Sequence, residues 1–144
     1  AGLLSWEAFN RCSAHYITYI IKNLNNPQNI PITVFCKNSS IFVPQLINTG
    51  ANVISLDWQC NIAHLRKNIP SHLAIQGNLD PFLLFGSNED ITKNVNEIFN
   101  SMPTNNGYIF NLGHGILPEI NPEKVKHIVG VIKEKAQTLT HEKA

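Results

Sequence analysis

The sequence predicts an α/β fold, the C-terminal half of a TIM (β/α)8 barrel made of a leading helix and four βα units. Three observations carry this. Short apolar runs rich in β-branched and aromatic residues alternate with segments of helical periodicity; each run gives way at its C-terminal end to polar or glycine-bearing residues; and the first element is a helix with no strand before it. Strands that alternate with helices are joined by right-handed crossovers into a parallel sheet, and near-continuous apolar runs suit strands covered on both faces. A barrel keeps its chemistry at the C-terminal strand ends. A barrel divided after its fourth strand would begin with a helix. A small open doubly wound sheet is the alternative architecture.

Taken in order, the first helix runs from about Ser5 to Leu24, with Phe9, Cys12, Tyr16, Ile20 and Leu24 three or four apart. Ser5 suits the N-cap, and Glu7 suits the positive end of the helix dipole. The first strand, Ile32–Cys36, ends in Lys37-Asn38-Ser39. A helix over Val43–Asn48 follows, with Pro44 in an early turn that tolerates it and Gly50 as terminator. The second strand, Val53–Leu56, ends at Asp57-Trp58, and a short helix carries Ile62, Leu65 and Ile69. The third, Leu73–Ile75, ends in Gln76-Gly77-Asn78-Leu79-Asp80. Ser87-Asn88-Glu89-Asp90 then opens, in capping-box fashion, a helix striped by Ile91, Val95, Ile98 and Phe99. The fourth, Tyr108–Leu112, ends at Gly113-His114-Gly115. The last helix opens at Asn121-Pro122-Glu123 and is striped by Val125, Ile128, Val129, Ile132, Ala136 and Leu139, before a fraying tail over Thr138–Ala144. No linker or compositional break divides residues 1–144, so they are expected to belong to a single barrel domain.

Composition excludes several classes. With 11 Lys and Arg against 10 Asp and Glu and no basic stripe, no nucleic-acid partner is expected. The apolar stretches fall short of the ~18–20 residues of a membrane helix, and no basic-then-apolar leader appears. A cytoplasmic location and no membrane partner follow as expectations. Cys12, Cys36 and Cys60 lack the close or even-numbered spacing of a zinc site or disulfide framework, so they read as small buried thiols. The chain opens at Ala1 without a methionine, inside what reads as a loop, which suggests a piece of a longer protein.

Gln76-Gly77-Asn78-Leu79-Asp80-Pro81, Asn111-Leu112-Gly113-His114-Gly115 and Ser55-Leu56-Asp57-Trp58 together resemble the uroporphyrinogen decarboxylase family. The opening Ala1-Gly2, with Leu3-Leu4-Ser5 and the helix containing Phe9, looks like the family's segment just after its mid-chain substrate loop. Pro118, Pro122 and Glu123 follow the glycine-histidine loop as they do there. These motifs keep the family's order and spacing over nearly the whole chain. The resemblance implies a TIM barrel acting as a homodimer, converting the four acetate side chains of uroporphyrinogen to methyls to give coproporphyrinogen and CO2, with no metal and no organic cofactor.

His114 is the family substrate-binding residue that carries over. Its flanking glycines allow close backbone approach, and an imidazole can donate to a carboxylate and change charge near neutral pH. The plainer reading is a histidine that caps the last helix or packs the loop. His15, His64, His72, His127 and His141 are read as structural or surface residues. Asp80, before Pro81, is expected to cap the next helix. Asp57 is expected to bond loop backbone while Trp58 packs beneath it, and Gln76 and Asn78 to satisfy a turn. Direct substrate contact is the alternative for Asp57 and Asp80, and hydrogen bonding across the cleft is the alternative for Gln76 and Asn78.

What is missing is as informative. A substrate with eight carboxylates needs several cations, yet Arg11 and Arg66 lie away from the expected rim and Lys37 is the only cation close to a strand end. The resemblance places the family's arginine-bearing loop, pyrrole-binding aspartate and substrate tyrosine in the other half, and its mid-chain serine or threonine just upstream of Ala1. No catalytic residue is therefore assignable here, and the chain alone is expected to be inactive without a missing N-terminal half. Three readings compete. One is a non-catalytic product of a split gene. Another is a relative of cobalamin-dependent methyltransferases, whose His-x-Cys zinc ligands have no counterpart here. The last is a phosphate-binding barrel.

Overall fold

Strands β1 (Thr33–Phe35), β2 (Val53–Ser55), β3 (Ala74–Leu79) and β4 (Tyr108–Leu112) form one parallel sheet in sequential order. The computed structural model describes residues 2–38, 40–102 and 107–141, without the side chains of 139–141. Ala1, Ser39, the Leu139 and His141 side chains and the end of the expected tail lie outside the described residues. Sequential order with no reversal is that of a barrel, whereas a doubly wound sheet reverses at its switch point. The expected leading helix and four βα units are what the chain forms.

Helices α1 (Trp6–Phe9) and α2 (His15–Asn23) flank a π-helical segment (Asn10–Ala14), and together they make the leading helix. Helices α3 (Val43–Ile47), α4 (Ile62–Arg66), α5 (Asn88–Ser101) and α6 (Pro122–His141) follow the strands in turn. The caps are local and as expected. Ser5 Oγ accepts from Ala8 N at 3.2 Å, and Ser87 Oγ accepts from Asp90 N at 3.0 Å while donating to its carboxylate. Asn121 Oδ1 accepts from Glu123 N at 2.9 Å.

Strand alternation divides the sheet into two faces. Val34, Ile54, Ile75 and Tyr108 stand in register on the outer face and pack under Phe9, Phe42, Leu46 and Ile62. Phe9 and Phe42 stack with centroids 4.0 Å apart, pinning the leading helix to the turn before α3. Further along, Leu79, Phe110 and Leu112 meet Leu84, Ile91, Val95 and Ile128 of the last two units.

Four expectations need correction. Strand β3 runs on to Leu79, because Gly77, Asn78 and Leu79 pair with Phe110, Asn111 and Leu112; the residues read as a turn are ladder residues. In the leading helix, Cys12, Tyr16, Ile20 and Leu24 are exposed. Phe9 and Ala14 are buried, with Ile17, Thr18 and Ile21 partly so. The five-residue step from Phe9 to Ala14 is the π segment: its wider turn rotates the inward face away from the positions that a continuous α-helical period selects. In α6, Val129 is exposed and Val131 packs on the core instead. Cys12 is an exposed thiol, and only Cys36 and Cys60 are partly covered.

Candidate functional site

The strand ends converge on a concave rim. Phe35, Ser55, Gln76 and Ile109 stand in register on the inner face, with Asn78 and Asn111 paired one step nearer the rim. Two strands separate β1 from β4, so a flat sheet would hold them about 14 Å apart. Yet the Phe35 and His114 rings, one on β1 and the other just past β4, lie 6.4 Å apart. Curling of the sheet and the reach of the β4 loop bring them together.

Glycine sets where His114 sits. Gly113 N donates to Leu79 O at 2.8 Å, tying the loop to the end of β3. A Cβ at Gly113 would stand 2.8 Å from Trp58 Cα and Cβ, closer than side-chain atoms tolerate. The loop therefore lies flat against Trp58, and the His114 ring meets the indole edge-on at 5.5 Å. Lys37 Nζ lies 5.9 Å from the centroid of the same indole. His114, Lys37 and Phe35 are exposed and Trp58 is half-buried, so the corner faces solvent.

Beneath it lies a polar network that positions the corner. Asp57 is fully buried; its carboxylate accepts from Asn38 N and, at 3.3 Å, from Gln59 N. It thus ties the β1 loop to the β2 loop, as expected from sequence. Trp58, expected to pack beneath it, is instead the more exposed of the two, because its indole is turned to the rim. Asn78 donates to Asp57 O at 2.7 Å and Cys60 O at 2.8 Å, and so lashes the β2 loop to β3. Gln76 donates to Ser55 Oγ at 3.1 Å across the concave face. Neither amide satisfies a turn, which corrects that expectation; both act between strands. Asp80 does cap, accepting from Phe82 N at 2.9 Å. A Cβ at Gly77, where φ is +133°, would meet Leu56 O at 2.7 Å, so this position also demands glycine.

The thiols here are unsuited to nucleophilic work. Burial, reinforced by the Asp57 carboxylate, pushes the Cys60 thiol up to about 11, and burial raises Cys36 as well. Burial also pushes up the Tyr108 phenol, which donates to Gly77 O. Arg66 is committed at the opposite end of the sheet, donating to Leu73 O, Ile69 O and Pro70 O at 2.6–2.8 Å. His127 bridges α5 and α6 through Thr92 Oγ1 at 3.0 Å, while His15, His64 and His72 are exposed. Arg11 and His15 line a cavity of about 680 Å³ between the leading helix and α3, on the outer surface. Among the described residues, no three His, Cys, Asp or Glu side chains gather to hold a metal, and no helix is long and apolar enough to cross a membrane.

Sequence reasoning singled out His114 and Lys37 separately but missed that Trp58 joins them. It also missed Phe35 and Ser55. Counting strand parity back from Lys37 and Asp57 would have put both on the inner face.

A curled parallel βα sheet whose strand ends carry an exposed imidazole, an indole and a lysine defines a (β/α)-barrel protein with a candidate site at the C-terminal rim. Residues 1–135 match the family model for uroporphyrinogen decarboxylase (URO-D), and the chain belongs to that family. It is 38% identical over 135 residues to the uroporphyrinogen decarboxylase of Protochlamydia amoebophila, covering 94% of this chain and 36% of that one. It is 40% identical over 131 residues to that of Wigglesworthia glossinidia brevipalpis, covering 89% and 36%. The chain thus spans little more than a third of the length of these curated relatives. A methyltransferase from Methanosarcina mazei superposes with a TM-score of 0.74 at 21% identity, over 91% of this chain and 38% of that one, and so shares the fold.

Proposed function

We propose that residues 1–144 are the C-terminal half of one barrel domain in a cytoplasmic, homodimeric uroporphyrinogen decarboxylase, and that His114 contacts a substrate carboxylate. The observation that carries this reading is the exposed His114 imidazole, held on the concave rim between Trp58 and Phe35 by the close packing of Gly113. In the proposed reaction, a pyrrole ring is protonated beside an acetate arm. The bond to the departing CO2 then passes its electron pair into that cationic ring. A second proton completes the methyl group, and loss of the ring proton restores the pyrrole. The substrate provides its own electron sink, so the protein's work is to orient the ring and stabilise charge.

The described residues offer Lys37 as the cation at the strand ends and no arginine there, too few for eight carboxylates. The inner face is also open, with Phe35 46% and Ile109 44% exposed. An open edge and an uncovered apolar face favour association with a complementary half. An anaerobic assay tests the reading. The 144-residue chain alone should not convert uroporphyrinogen, and adding an N-terminal half taken from one of the curated relatives should restore turnover. Turnover by the chain alone, or none on complementation, would overturn it. In the second case, a non-catalytic product of a split gene becomes the better account.

A further inference from the structure

Resting on that reading, we propose that Lys37 is a second carboxylate-binding residue, paired with His114 across the Trp58 ring. Each side chain is exposed, and each lies within 6 Å of the same indole centroid. Among the described residues, the lysine's charge is not spent on a protein acid. The nearest acid along the chain, Asp57, is fully buried and turns its oxygens to Asn38 N and Gln59 N. The ion pairs among the described residues join Lys93 to Glu97 and Lys126 to Glu123, and neither involves Lys37.

An ammonium resting on an aromatic face is held in place while its N–H donors stay free for an anion. Trp58 thus places two donors from opposite edges of the sheet, one after β1 and one after β4, beside a single apolar floor to which Phe35 adds a wall. That combination fits a carboxylate carried on a short arm from a flat, apolar ring. The ring lies over Trp58 and Phe35, and its carboxylate or two neighbouring carboxylates reach Lys37 and His114. A lysine suits this better than an arginine would, because a point charge follows an arm whose position differs from ring to ring.

The test uses the 144-residue chain carrying Trp6→Phe, which leaves Trp58 as the only indole to be followed by its N–H resonance. Two probes are titrated: uroporphyrin, the air-stable octacarboxylate, and benzenehexacarboxylate, with the neutral uroporphyrin ester as control. Both acids should shift the Trp58 resonance and the ester should not. Lys37→Gln should weaken the acids roughly tenfold, as loss of a charge-assisted bond implies, while Lys37→Arg retains most of the affinity. Equal binding by Lys37→Gln, or no binding of either acid by the parent chain, would overturn the inference; turnover on complementation would still uphold the decarboxylase reading. Lys37-dependent binding of benzenehexacarboxylate without uroporphyrin would do the reverse, keeping the clamp and removing the porphyrinogen.

Discussion

The outer and inner faces of the sheet are made by alternate residues of the same strands, yet helices cover the outer face and leave the edges of the inner one open. The outer row, Val34, Ile54, Ile75 and Tyr108, is covered by helices, with Ile54 and Ile75 fully buried. The inner row, Phe35, Ser55, Gln76 and Ile109, faces the concavity: Phe35 and Ile109 at its edges are about half exposed, while Ser55, hydrogen-bonded to the partly covered Gln76, is buried. One face holds the sheet to its helices within this chain; the other is the face that the proposed function assigns to a ligand and to the remainder of a barrel.

The sharpest way to break that comparison is to cut into each face in turn. Ile75→Ala on the outer row should cost about 2–5 kcal/mol, the usual range for emptying a packed site, as measured by urea unfolding. Phe35→Ser on the inner row should stay within about 1 kcal/mol, because little burial is lost. Similar costs for the two would mean that the inner face is closed in solution. Gly113→Ala comes next. The added methyl has no room beside Trp58, so the loop must shift, at about 1–3 kcal/mol. The Trp58 and His114 resonances should move together, and a variant in which only one moves would dissociate them.

A pH series sharpens the comparison at the boundary between the faces. Unfolded, Cys60 ionises near its ordinary value of 9.0, and in the fold near 11, so the fold favours the neutral thiol. Its contribution is full below pH 9 and is lost as the pH rises through about 11. That loss is on the order of 1 kcal/mol once solvent screening is allowed for. Urea midpoints of the parent and Cys60→Ala should converge over that window. At neutral pH, iodoacetamide should label exposed Cys12 well before Cys60. The smallest stability effect is expected at His114. His114→Ala should change stability by no more than about 0.5 kcal/mol, yet weaken turnover in the complemented enzyme. A large loss of stability would make this histidine a packing residue.

Much of this was legible in the residues alone because it is local. Ser5, Ser87 and Asn121 cap helices through bonds that span three residues or fewer, so their positions announce the helix starts. The apolar runs that became β1, β2 and β4 needed no distant partner to be recognised. Gly113-His114-Gly115 could be marked as a loop from its glycines after a strand, whereas the reading of His114 as a substrate contact came from the family resemblance and the expected barrel rim.

What only the tertiary structure decided involves partners far apart in the chain. Strand β3 reaches Leu79 because β4, some thirty residues later, pairs with it. The leading helix turns Phe9 and Ala14 inward, rather than Cys12 and Tyr16, because a π segment fits it to Phe42. Asn78 works between strands because Asp57 O and Cys60 O await it there. Lys37 and Trp58 follow paired neighbouring strands, and His114 joins them because the sheet curls and the β4 loop reaches across it. Curvature is set by packing summed over four strands and their helices, and no local pattern of residues encodes it.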